Sequence, residues 1–287
     1  MALGTADDHD AALRFACRHA MSLAAPLLLV HVVENEPAER DELLVHQAAL
    51  RARELTRRAV RIETMTPHGP LVPTLVALSR GADVVVLERR PFSTLQRVIL
   101  GSISTEVAGR SQATTITVPA TWEASPEQDR RVVVGIDRAG DDLPVVAHAF
   151  ARAAVLGAGL RIVHGWQMDS AYDDAIVGRA DVAEWREHYV GSLERAVRGL
   201  GSTSVPWSLQ VVHAAPAEAL LAACVDADRL VLGRGGADVP LVGGLGSVTR
   251  ALLRDAACPV EVTGPADEQQ PRVPAARTAP MDATEPT

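Results

Sequence analysis

Short apolar runs alternate with longer amphipathic stretches along the chain, and that alternation predicts the elements and their order. Residues 131–136 form a β-branched apolar run that reads as a buried strand. Helical spacing follows over 142–156, carried by Val145, Ala149 and Leu156, and 160–166 reads as a second strand. A helix is predicted over 180–200, acidic early and arginine-rich late, which matches the helix macrodipole. Residues 208–213 form a third strand, and Pro216 opens the next helix where its missing N–H costs nothing. Strands at 229–232 and 260–262 flank a last helix over 247–254. Strands alternating with helices mean βαβ units, a parallel sheet and right-handed crossovers.

The pattern occurs twice. LLLVHVV at 27–33 recurs as LRIVHGW at 160–166, GADVVVLERR at 81–90 as DADRLVLGRG at 226–235, and LGSISTEVAGR at 100–110 as LGSVTRALLRD at 245–255. Asp83 to Asp228 and Gly101 to Gly246 are both 145 apart, whereas His31 to His164 is 133, so the second copy has gained twelve residues between these points. The expected organisation is a first domain over 1–119, a polar linker over 120–130, a second domain over 131–263 and a disordered, proline-rich tail over 264–287. The first copy has only four residues for its opening strand, so that strand is truncated or its start lies upstream.

Composition narrows the chemistry. All 28 basic residues are arginine, which excludes a P-loop, Schiff-base or catalytic lysine. A net charge of −8 argues against a nucleic-acid partner. Cys17, Cys224 and Cys258 sit in apolar stretches and read as buried free thiols, and the nine histidines show no metal-ligand spacing. His31 and His164 read as core histidines bonded to backbone, and Trp166, Trp185 and Trp207 as core or interface fillers. The longest apolar run, 21–33, falls short of the ~20 residues a membrane span needs, and no signal-peptide pattern opens the chain. The expectation is a cytoplasmic protein with no membrane partner.

One constellation points to a ligand. The fourth strand of the second copy runs into Gly233-Arg234-Gly235-Gly236; nine residues then precede Gly246 and Ser247, at the start of the next helix. Glycines let backbone N–H groups approach an anion, and a helix N-terminus supplies donors and partial positive charge. Ser247 adds a hydroxyl donor or serves as the helix N-cap. If the strand order is 3-2-1-4-5, Asp137 ends strand one beside Gly233 at the ligand crevice of an open sheet, able to accept from a ribose hydroxyl or adenine amino group. The same glycines also make ordinary turns, and an aspartate at a strand end also caps turns. Gly244 to Thr249 reads G-x-G-x-x-T, which lacks the third glycine of a dinucleotide fingerprint and follows the wrong strand, so an oxidoreductase is disfavoured.

The two copies resemble universal stress protein domains, and G-x-x-G-(nine)-G-S resembles the ATP-binding motif of that family's nucleotide-binding branch. Val163-His164, the pattern around Asp228 and Cys258-Pro259-Val260 add to the likeness. The resemblance implies two tandem Rossmann-like (adenine-nucleotide alpha hydrolase-like) α/β domains, each a five-stranded parallel sheet of order 3-2-1-4-5 with helices on both faces. It implies phosphate contacts from Gly233, Gly236, Gly246 and Ser247, a nucleoside contact from Asp137 and backbone contact to adenine near Gly165. It also implies ATP with Mg2+, a regulatory stress-response role with slow or no hydrolysis, no catalytic residues, and pairing of the two domains through their last strands. A homodimer of whole chains is left open, as is a nucleotide-free scaffold. In the first copy Glu88 and Pro91 stand where Gly233 and Gly236 stand in the second, while Gly101 and Ser102 are kept, and Ala6 or Asp7 lies where Asp137 would be. An empty or weak first site is expected.

Overall fold

The computed structural model describes residues 1–4, 10–34, 39–89, 103–124, 130–138, 140–167, 179–235 and 244–265. In the second repeat the strands are β6 (Arg131–Gly135), β7 (Gly159–Trp166), β8 (Trp207–His213), β9 (Arg229–Leu232) and β10 (Val260–Val262). All pairings among them are parallel, in the order β8-β7-β6-β9-β10, which is the expected 3-2-1-4-5. Between them run α5 (Leu143–Leu156), α6 (Arg179–Arg198), α7 (Pro216–Ala223) and α8 (Ser247–Asp255).

The central strand shows why the run 131–136 is apolar throughout. Val132 and Val134 pack with Val146, Phe150 and Ala153 of α5 and Leu193 of α6, whereas Val133 faces Leu220 of α7 and Leu252 and Leu253 of α8. Successive side chains leave a strand on opposite faces, so a strand covered by helices on both sides has no polar position to spare. Trp166 joins the core, but Trp185 is 42% exposed on α6 instead of filling it. All three cysteines are free and buried.

The first repeat departs from the expected continuous sheet. Its strands β1 (Ala2–Leu3), β2 (Leu27–His31) and β3 (Ile62–Met65) form a separate three-stranded parallel sheet. Its other two, β4 (Val84–Arg89) and β5 (Thr114–Pro119), belong instead to the sheet of the second repeat. β1 lies against β4, yet no ladder joins them among the described residues. A two-residue strand offers too few backbone groups to bond both neighbours along their length. A cavity of about 350 Å3, lined in part by Met1, Ala2, Val30, Val84 and Val86, opens at the break. The helices here are α1 (Asp10–Leu23), α2 (Glu39–Leu55), α3 (Leu71–Leu78) and α4 (Ile103–Arg110).

The repeats meet through their last strands. β5 and β10 pair antiparallel, with Thr117 opposite Val260, Ile116 opposite Glu261 and Thr115 opposite Val262, giving one sheet of order β4-β5-β10-β9-β6-β7-β8. Each strand covers the other's edge, which alone would expose a row of unpaired backbone groups. Glu261 is fully buried at this seam. Its carboxylate accepts from Arg229, from Arg152 Nε at 2.8 Å and from His148 Nε2 at 2.6 Å. No helix among the described residues is long and apolar enough to cross a membrane. The expected tail over 264–287 lies outside the described residues beyond position 265, and the expected linker is covered only at 120–124 and 130.

Candidate functional site

Parallel pairing brings the sequence-predicted residues to one edge. Val134 of β6 faces Val231 of β9, so the chain leaves both strands on the same side, reaching Asp137 from one and Gly233 from the other. Gly165 lies on the next strand, where Gly135 faces Val163 and Gly165 faces Val212. Asp137, Gly165 and Gly233 therefore line the carboxyl edge of neighbouring strands, where open α/β sheets take ligands. Gly236 lies outside the described residues, as do Ala6, Asp7, Pro91, Gly101 and Ser102 of the first repeat.

The start of α8 completes the edge. Gly246 is its N-cap, with φ −66° and ψ 161°, and Ser247 occupies the first helical position with an exposed side chain. This corrects the reading of Ser247 as the N-cap. A glycine cap has no side chain to bond the first-turn N–H groups, which leaves the dipole and donors of that turn to another acceptor. The Gly246 N–H itself donates to the Arg234 carbonyl at 2.7 Å, closing the loop that follows β9. Thr249 Oγ1 donates to the Gly233 carbonyl at 3.0 Å and ties the first turn of α8 to the same loop. Gly246 thus has a structural use for its N–H besides the expected phosphate contact.

Asp137 is exposed. The turn after β6 is held by another carboxylate: Asp142 Oδ2 accepts the backbone N–H of Asp137 at 2.7 Å and of Arg138 at 2.9 Å. Burial pushes the Asp142 carboxyl up, against those two bonds. Among the described residues the Asp137 side chain makes no hydrogen bond within this turn. Gly165 is needed by packing: an added Cβ would lie 2.8 Å from Pro216 Cα and 3.0 Å from Ala219 Cβ at the start of α7. His164 Nδ1 sits 2.9 Å from the Ile136 carbonyl and His31 Nδ1 3.3 Å from the Leu3 carbonyl, so both are core histidines bonded to backbone.

Three contributors went unread in the sequence: Asp142, Thr249 and the partners of Arg234. The aspartate that closes the D-R-A-G-D-D run, five residues after Asp137, carried the only signal for the first. The third had a signal in the repeat itself, since Arg89 and Arg234 stand 145 apart and match where the flanking glycine does not. Among the described residues no group of His, Cys, Asp and Glu could hold a metal ion.

The sequence model of the universal stress protein family matches residues 2–119 and again 129–263. A universal stress protein of Mycolicibacterium smegmatis is 27% identical over 291 residues, covering 90% of this chain and 94% of that one. Another from Mycobacterium tuberculosis is 29% identical over 235 residues, covering 80% of this chain and 73% of its own length. Among solved structures, a putative universal stress protein from Pseudomonas aeruginosa aligns over 93% of this chain and 92% of its own, with a TM-score of 0.65 at 19% identity. One from Archaeoglobus fulgidus covers 92% of this chain and 97% of its own, with a TM-score of 0.59 at 17% identity. The chain belongs to the universal stress protein family, as a tandem of two family domains.

Proposed function

We propose that this chain is an ATP-binding stress-response regulator that takes nucleotide at its second repeat and acts through conformation or partner association. The observation that carries the reading is the glycine-capped start of α8 beside the loop after β9, on the sheet edge that also holds Asp137. Phosphates would meet the first-turn N–H groups of α8 and the Ser247 hydroxyl, and the exposed Asp137 carboxylate would accept from the nucleoside. Mg2+ would arrive with ATP, coordinated mainly by phosphate oxygens and water. The reading includes slow or no hydrolysis and a cytoplasmic setting.

The test is to purify the protein without added nucleotide, denature it, identify any released small molecule, and titrate Mg-ATP by calorimetry. ATP or ADP should be released by the parent protein. Affinity should fall at least tenfold in Gly246→Val and roughly fivefold in Asp137→Ala, the size of one lost polar contact. No released nucleotide and no heat on adding Mg-ATP would make the glycine loop structural and the protein a scaffold of the same fold.

A further inference from the structure

The arginine inside the glycine loop is not aimed at a phosphate. Arg234 Nη1 donates to the Gly109 carbonyl at 3.0 Å, Nη2 donates to the Ser111 carbonyl, and Nε donates to the Thr263 carbonyl at 3.4 Å. Gly109 and Ser111 lie at the C-terminal end of α4, in the first repeat, where helix carbonyls have no partner within the helix. The same residue's main-chain carbonyl receives the Gly246 N–H. Arg234 therefore bonds the first repeat with its side chain and the cap of α8 with its backbone.

A second contact pins the other end of the loop. Gly244, with φ +81°, lies against Gly109, and a Cβ there would run into the Gly109 carbonyl. The pseudo-twofold counterpart is present as well. Arg89 Nη1 donates to the Leu253 carbonyl at 3.3 Å and Nη2 to the Ala256 carbonyl, at the C-terminal end of α8. The repeat that has lost the glycine at position 88 keeps the arginine at 89. The two arginines thus make matching contacts between the repeats whether or not a glycine precedes them.

We propose that the first repeat buttresses the phosphate loop of the second through Arg234, so that nucleotide occupancy and the contact between the repeats are linked. This rests on the nucleotide reading above. A ligand held at the cap of α8 holds the Arg234 carbonyl that accepts the Gly246 N–H, and with it the guanidinium that caps α4. Linkage is reciprocal, so the factor by which the ligand strengthens the contact is the factor by which the formed contact strengthens ligand binding. The first repeat thereby gains a role that needs no ligand of its own.

The experiment uses the full chain and Mg-ATP, with calorimetry for affinity and hydrogen exchange of the amides in 103–113 for the contact. In the parent protein, saturating Mg-ATP should slow exchange in 103–113 severalfold. In Arg234→Met, affinity should fall about tenfold, and the slowing should be absent at saturation. Arg89→Met removes the matching bond at the far end of α8, about 13 Å along the helix from its cap, and should change affinity less than twofold. Arg234→Lys, which keeps the charge but not the fork that reaches several carbonyls, should fall between. It also replaces Arg234→Met should that variant not fold.

Affinity unchanged in Arg234→Met or Arg234→Lys would overturn the proposal. So would weakened affinity with no change in 103–113 exchange in the parent protein, which would make Arg234 a direct phosphate ligand. Absence of any Mg-ATP binding by the parent protein would instead remove the nucleotide reading itself, and the linkage with it.

Discussion

His19 stands where the repeats meet, stacked beside Phe15 on α1 with the Arg229 guanidinium 5.0 Å over the Phe15 ring. Arg229 Nη2 donates to His19 Nδ1 at 3.3 Å, which requires a neutral ring, and among the described residues His19 Nε2 has no hydrogen-bond partner. Burial, and then the Arg229 charge, pull its pKa down to about 3, with Arg152 and His148 adding to the effect and Glu261 opposing it. A folded pKa below the unfolded value of about 6.5 means that the unfolded chain binds the extra proton. Stability from this residue is thus present above pH 6.5 and is lost as pH falls towards 3, with a slope of up to about 1.4 kcal/mol per pH unit. Urea midpoints should drop between pH 7 and pH 5, and His19→Leu should flatten that limb; equal slopes in the two proteins would refute the assignment. Nothing in the sequence around position 19 announces this, because a histidine on a helix is ordinary until its far neighbours are known.

At the level of elements, β7 against α7 and β10 against its neighbours carry the sharpest expectations. Gly165→Ala would set a Cβ 2.8 Å from backbone at Pro216, which cannot swing away. A loss of about 1–3 kcal/mol is expected in urea unfolding, as for other overpacked contacts, and no loss would mean that α7 yields freely. In β10, burial alone would push the Glu261 carboxyl up, but Arg152, Arg229 and the His148 bond hold it well below its ordinary value. That contribution is kept at neutral pH and fades only in acid, below the usual glutamate range. Glu261→Gln should therefore cost about 3 kcal/mol or more at pH 7 by taking the anion from the buried Arg229 guanidinium and the half-buried Arg152. Replacing Glu261, Arg229 and Arg152 together by apolar residues should cost much less, which unfolding of the triple variant would check. Here the sequence did hold a sign: V-E-V and D-R-L-V-L each place a charge in a strand that must be buried.

For the whole molecule, the β5–β10 seam decides the architecture. A fragment of residues 129–265 keeps every strand of the second repeat but bares the edge of β10, with Val260, Glu261 and Val262 all buried in the full chain. Sedimentation should find that fragment self-associating at micromolar concentration while the full chain at equal concentration stays smaller; a strictly monomeric fragment would show the edge to be harmless.

The elements of the second repeat, their order and the position of the glycine loop were legible because each depends on short-range periodicity, which the chain carries locally. The expected 3-2-1-4-5 order likewise put Asp137 and Gly233 at the ends of strands that the fold makes neighbours. The break between β1 and β4, the capping role of Gly246 in place of Ser247, and the junction charges at Glu261 were decided only by tertiary structure. So was the destination of Arg234, whose guanidinium ends on carbonyls more than a hundred positions away in the chain. A side chain's chemistry is written at its own position, but its partner is set by which backbone groups the packed sheet leaves within reach.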